Sequence, residues 1–114
     1  MNKVIHRNDA FYGKTSTIIL ADGYACVMVS VMDETPEVAV IHDLIVHSTR
    51  RGEGLGRALL ESAEEEAKEM GAEIAALSAK PGSWLEEWYT RHGFHPTDDK
   101  DTDNYGNIIL RKAL

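Results

Sequence analysis

The chain has 114 residues, 43% of them hydrophobic and 27% charged, a formal net charge of −7 and one cysteine, Cys26. That length supports a single domain, residues 1–114, with one core, and no apolar run nears the ~20 residues that cross a bilayer, so no membrane partner is expected. The acidic balance speaks against a nucleic-acid binder, one cysteine excludes an internal disulfide or a cysteine zinc cluster, and Met1-Asn2-Lys3-Val4-Ile5-His6-Arg7 lacks the apolar centre of a signal peptide, so a cytoplasmic location is expected.

Val4-Ile5 reads as the start of a short strand, with turns at Asn8-Asp9 and Gly13. Residues 15–21 are β-branched and form a strand. Asp22-Gly23 is a two-residue hairpin signal, so residues 24–32 return antiparallel. After the turn Asp33-Glu34-Thr35-Pro36, residues 37–46 are a third strand. It is almost continuously apolar, broken by His42 and Asp43, a pattern that predicts cover on both faces. Leu55, Leu59, Ala63, Ala67 and Met70 then recur at helical spacing, with Glu61, Glu64, Glu65, Lys68 and Glu69 on the other side and Gly71 as the stop. Residues 73–78 form the next strand, and strand–helix–strand implies a parallel pair. Ser83-Trp84-Leu85-Glu86 is a capping box that opens a helix over residues 84–92. Its apolar side carries Trp84, Leu85, Trp88 and Tyr89. Residues 94–96 are a brief strand, 98–106 a polar loop and 107–112 the last strand. The fold class is mixed α/β: a twisted sheet, antiparallel at its start, with one central βαβ step and two main helices.

The chemistry-bearing stretch is Arg50-Arg51-Gly52-Glu53-Gly54-Leu55-Gly56-Arg57, between the third strand and the first helix. Three glycines leave backbone N–H groups unscreened, and the helix start adds free N–H groups and a positive dipole end. That combination suits an anion, most simply a pyrophosphate. No G-x-x-x-x-G-K-[ST] is present, and Arg57 takes the last glycine of G-x-G-x-x-G, so the other common phosphate loops do not fit. The plain alternative is a packing turn.

Arg51-Gly52-Glu53-Gly54-Leu55-Gly56 resembles the Q/R-x-x-G-x-G/A signature of the GNAT superfamily, the acyl-CoA-dependent N-acyltransferases. Leu44-Ile45-Val46 precedes it at that family's spacing, and Tyr89-Thr90-Arg91-His92-Gly93-Phe94 is similar to its Y-x-x-x-G-F segment. The likeness covers residues 15–114. It implies an N-acetyltransferase that moves an acetyl group from acetyl-CoA to a primary amine, either a small amine or a protein lysine or N-terminus, with no metal. The CoA pyrophosphate would rest on the backbone N–H groups of Arg51, Gly52, Glu53, Gly54, Leu55, Gly56 and Arg57. The pantetheine arm would pair like an added strand with the main chain of Leu44, Ile45 and Val46. The thioester would lie where the strands at 37–46 and 73–78 splay apart, and Tyr89 would protonate the departing thiolate.

Acyl transfer to an amine needs a base to remove a proton from the ammonium and a donor for the oxyanion, here a strand N–H near Ile45 or Val46. The glutamates that many members use fall at Val40 and about Leu77, and neither is acidic. His42 shares a strand face with Val40 because side chains alternate. It resembles one of the paired strand histidines of some members, and imidazole titrates near neutrality. Alternation turns Asp43 the other way, which makes it the second candidate. Tyr89 as core and His42 as a hydrogen-bonded buried histidine are the plain alternatives. The asparagine that members often carry before the last helix is replaced by Gly82 or Ser83. The helix pair that usually walls the acceptor side is missing. The acceptor cleft is therefore expected to be open, covered by a second subunit in a homodimer, or filled by a macromolecular substrate. The rival reading is a non-catalytic CoA-binding or protein-interaction module. Asp99, Asp101 and Asp103 mimic a calcium loop, but Asn104 and Leu110 stand where its glycine and glutamate are needed.

Overall fold

The computed structural model describes residues 2–97 and 101–114. Its elements are β1 (Lys3–Ala10), β2 (Gly13–Leu20), β3 (Ala25–Met32), β4 (Val38–Val46), α1 (Leu55–Glu69), β5 (Ile74–Ala79), α2 (Trp84–Arg91), β6 (His95–Pro96) and β7 (Ile108–Ala113). The seven strands form one sheet in the order β1-β2-β3-β4-β5-β7-β6. β1 to β4 run antiparallel, β4 and β5 are parallel across α1, and β7 pairs antiparallel with both β5 and β6. This is the expected mixed architecture.

The core follows from period two meeting period 3.6. Ile18 on β2, Val27 and Val29 on β3, and Ala39 and Ile41 on β4 are buried at alternate positions. Leu55, Leu59, Leu60, Ala63 and Ala67 form the stripe of α1 that covers them. Each fully buried Leu in such a stripe contributes about 1.5–3 kcal/mol. Leu77, Tyr89, Phe94 and Leu110 extend the same cluster under α2, so both helices lie on one face of the sheet. Consecutive right-handed crossovers in one direction require that.

Three local expectations need correction. β1 runs for eight residues and takes in Asn8-Asp9, expected as a turn, while Gly13, also expected as a turn, opens β2; only Ile5 of the apolar side chains of β1 turns toward the core, so the strand reads as polar. A two-residue turn, Phe11-Tyr12, joins it to β2, so the opposite sheet face carries no helix among the described residues. The Asp22-Gly23 hairpin is wider than two residues: Ala21, Asp22 and Gly23 all have positive φ, at 50°, 55° and 98°. The last pair of that ladder is Leu20↔Ala25. β4 is covered on one face only, with Val40 and Ile45 exposed on the other.

Ser83 does cap α2, accepting a hydrogen bond from Glu86 N–H at 3.2 Å. Glu86 answers one residue earlier than in a capping box, taking the Gly82 N–H at 2.6 Å. One charged side chain interrupts the apolar stripe of α1. Glu66, only 2% exposed, accepts two hydrogen bonds from Arg7 of β1 and one from Ser16 of β2. A buried carboxylate persists only when paired in this way.

Candidate functional site

The β4–β5 ladder lasts three residue pairs, ending at Val40↔Ala76. Beyond it β4 continues to Val46 paired with β3 alone, so a wedge opens and one edge of β4 offers main-chain groups that no strand takes among the described residues. Inside this stretch β4 bulges: Cys26↔Ile45 and Met28↔His42 span two steps on β3 but three on β4. Asp43 supplies the bend with a φ of +54°, a conformation costly for anything but glycine and most tolerated by asparagine and aspartate.

At the end of β4 the chain turns through Ser48–Arg50, where Arg50 N–H donates to His47 O and Thr49 N–H to His47 Nδ1. Gly52 and Gly54 then take φ of +84° and +79°, and a Cβ at either would meet nothing within 4 Å. Gly54 opens α1 with no side-chain cap. Ala58 N–H, bonded to Gly54 O at 3.1 Å, makes the first helical turn. Among the described residues, no backbone acceptor takes the N–H groups of residues 52–57. These unused donors belong to a loop with open space over Gly52 and Gly54, a concavity at the positive end of a helix, which is what an anion needs.

Two of the nearby arginines are occupied. Arg50 makes paired hydrogen bonds to Glu53 at 2.7 and 2.9 Å and lies over the Tyr24 ring at 5.3 Å. That hydrogen bond holds the Glu53 carboxyl below its ordinary value. Arg57 pairs with Glu61 at 3.0 Å. Arg51 has no carboxylate partner among the described residues and reaches only Val46 O, at 3.5 Å.

These elements enclose a cleft of about 660 Å³ between the end of β4, the loop, the start of α1 and α2. Leu44, Val46, Arg51, Gly52, Gly54, Leu55, Gly56 and Arg57 line it, as does Arg50. Ile45 points to the open sheet face and Glu53 is turned to Arg50, so neither side chain lines the cleft. Trp84, Leu85 and Trp88, the apolar side of α2, form the far wall. Trp84 is 68% exposed and stacks on Trp88 with centroids 6.1 Å apart. An indole at the first position of an eight-residue helix was the available signal, since so short a helix cannot bury two of them.

Tyr89 lies behind that wall. It is 5% exposed, packs between Trp88 and Phe94 with centroids at 5.4 and 6.1 Å, and does not line the cleft. Burial pushes its phenol above the ordinary value of 10.0, which keeps the proton on. His42 sits on the open face at the wedge, its Nδ1 2.8 Å from Asp43 Oδ2 and its Nε2 2.8 Å from Ser30 Oγ. The bulge therefore brings Asp43 to His42, where simple alternation had it pointing away.

Asp99 lies outside the described residues. Asp101 pairs with Arg111 at 3.1 Å, while Asp103 accepts from the N–H groups of Tyr105 and Asn107 and closes a turn. No helix among the described residues is long and apolar enough to cross a membrane.

The family model of the acetyltransferase (GNAT) domain matches residues 8–96. No curated protein matches the sequence. Among solved structures, a GNAT family acetyltransferase from Elizabethkingia anophelis with acetyl-CoA bound is similar at 17% identity and a TM-score of 0.70, covering 99% of each chain. An IAA acetyltransferase from Bacillus cereus is similar at 17% identity and 0.70, covering 99% of this chain and 100% of that one. The PaiA N-acetyltransferase from Thermoplasma acidophilum, in complex with coenzyme A, matches at 18% identity and 0.68, over 88% of this chain and 60% of that one. At these identities the likeness is one of fold.

Proposed function

Because the chain belongs to the GNAT acetyltransferase family, with residues 8–96 matching the domain, we propose that it moves an acetyl group from acetyl-CoA to a primary amine by direct attack. The observation that carries this reading is the run of N–H groups at 52–57, unused by the backbone and opening on a cleft beside the free edge of β4. The residues present fit the co-substrate. A pyrophosphate matches the concavity over Gly52 and Gly54, Arg51 offers a guanidinium that has no carboxylate partner among the described residues, and the edge of β4 at Leu44 and Val46 offers main-chain partners to the amides of pantetheine.

In this proposal an N–H near Ile45 or Val46 holds the carbonyl oxygen as it gains charge. His42 takes the proton from the acceptor ammonium. Tyr89, kept protonated by burial, returns a proton to the thiolate. The uncovered sheet face would admit a small amine or a lysine or N-terminus carried by another protein.

A CoA-binding module without catalysis is the second reading, favoured by the absence of a carboxylate at Val40 and Leu77. Thiol release from acetyl-CoA, followed across polyamines, amino acids and lysine peptides, separates the two. Acetyl transfer to at least one class is expected. Tight CoA binding with no turnover across the panel would favour the module.

A further inference from the structure

His42 has both ring nitrogens engaged: Nδ1 with Asp43 Oδ2 at 2.8 Å, and Nε2 with Ser30 Oγ at 2.8 Å. Ser30 Oγ lies in turn 3.1 Å from Thr15 Oγ1. An ionised carboxylate can only accept, so the neutral ring carries its proton on Nδ1. Nε2 is then the acceptor, Ser30 O–H donates to it, and Thr15 O–H is left to donate to Ser30. The hydrogen bonds run in one direction, and the basic nitrogen faces a hydroxyl instead of solvent.

The chain of side chains lies beside the proposed reaction centre. Ser30 is directly opposite Val40 on β4, and Val40 is the last β4 residue paired with β5 before the wedge. Ser30 is 8% exposed and belongs to the sheet face that no helix covers among the described residues. Asp43, whose side chain is 63% exposed, keeps its carboxylate on the imidazole at the expense of a left-handed backbone.

We infer that Asp43 is a positioning residue that fixes the Nδ1–H tautomer of His42, and that Ser30 relays the acceptor's proton to Nε2. This rests on the acetyltransferase reading above. The ammonium N–H bond breaks as Ser30 Oγ takes that proton, while the proton already on Ser30 passes to Nε2. The products of the step are a neutral amine, an intact Ser30 hydroxyl and an imidazolium beside the Asp43 carboxylate. No bond to carbon forms at Ser30.

Imidazole ¹⁵N NMR on ligand-free protein, at a pH that keeps the ring neutral, tests the tautomer without any turnover. Wild type should show Nδ1 protonated and Nε2 bare. Asp43→Asn retains a residue that tolerates positive φ, but its amide can donate to Nδ1, so it should shift the ring toward Nε2–H. In steady-state assays Asp43→Asn and Ser30→Ala should each lower kcat at least about tenfold, with KM for acetyl-CoA unchanged. Ser30→Thr, which restores a hydroxyl, should recover most of the rate. The double variant Asp43→Asn/His42→Gln should be no slower than His42→Gln alone, because the residues act as one unit. A wild-type ring protonated on Nε2, or an Asp43→Asn enzyme as fast as wild type, overturns this inference and leaves acetyl transfer standing. An acyl adduct on Ser30 in mass spectra overturns the relay in favour of a nucleophile. Failure to acetylate any amine overturns acetyl transfer itself, and this inference with it.

Discussion

Tyr89 and Asp43 mark how far single residues can be read from a sequence. Tyr89 was legible as a helix residue before Gly93, but its depth was not, because Trp84 and Trp88 on the same apolar side take the cleft wall and leave Tyr89 beneath. Asp43 was misdirected because period-two alternation holds only in an unbroken ladder, and nothing in Ile41-His42-Asp43-Leu44 announces a bulge. If Tyr89 serves as the acid, Tyr89→Phe should lower kcat at least about tenfold. CoA affinity and Tm should hold, since the ring and its contacts remain. Unchanged turnover would leave Tyr89 as core alone.

Among the elements, the passage from β4 to α1 was the most legible, because three glycines and a helix start describe a local geometry that tertiary packing has little freedom to alter. Gly54→Ala tests it. The left-handed φ of +79° costs an L-residue about 1–2 kcal/mol, so a modest drop in stability is expected. The added methyl enters the concavity, so CoA affinity should fall by more than the stability loss alone would give. A variant destabilised to that extent with wild-type affinity would show that the concavity is not where the anion rests. β1 was the least legible element, because much of its attachment is polar. Arg7 and Ser16 meet Glu66 across the core edge, and no periodicity of apolar residues reports such a contact. Glu66→Gln should cost about 1–3 kcal/mol by weakening charge-assisted hydrogen bonds at a buried site, measurable by urea denaturation.

Over the whole molecule, the fold was recoverable from alternating strands, one amphipathic helix and the βαβ step, while the uncovered sheet face followed only from an expected missing helix pair. The same network also shapes the response to acid. The Glu66 carboxyl is held below its ordinary 4.5, first by its hydrogen bond to Arg7 and against the opposing effect of burial. A carboxyl depressed in the folded state contributes stability above its unfolded value and loses it as pH falls through the folded one. The wild-type Tm should therefore decline as pH drops below about 4.5, and Glu66→Gln should decline less over that range. Parallel curves for the two proteins would remove Glu66 from the acid response.

The central claim is that main-chain N–H groups at the start of α1 hold the diphosphate of CoA. Isothermal titration calorimetry measures it directly. Saturable binding is predicted for CoA and for ADP, much weaker binding for pantetheine alone, and a loss of at least about tenfold in CoA affinity in Arg51→Ala. Folded wild-type protein that binds no CoA, or that binds pantetheine as tightly as CoA, would contradict the account.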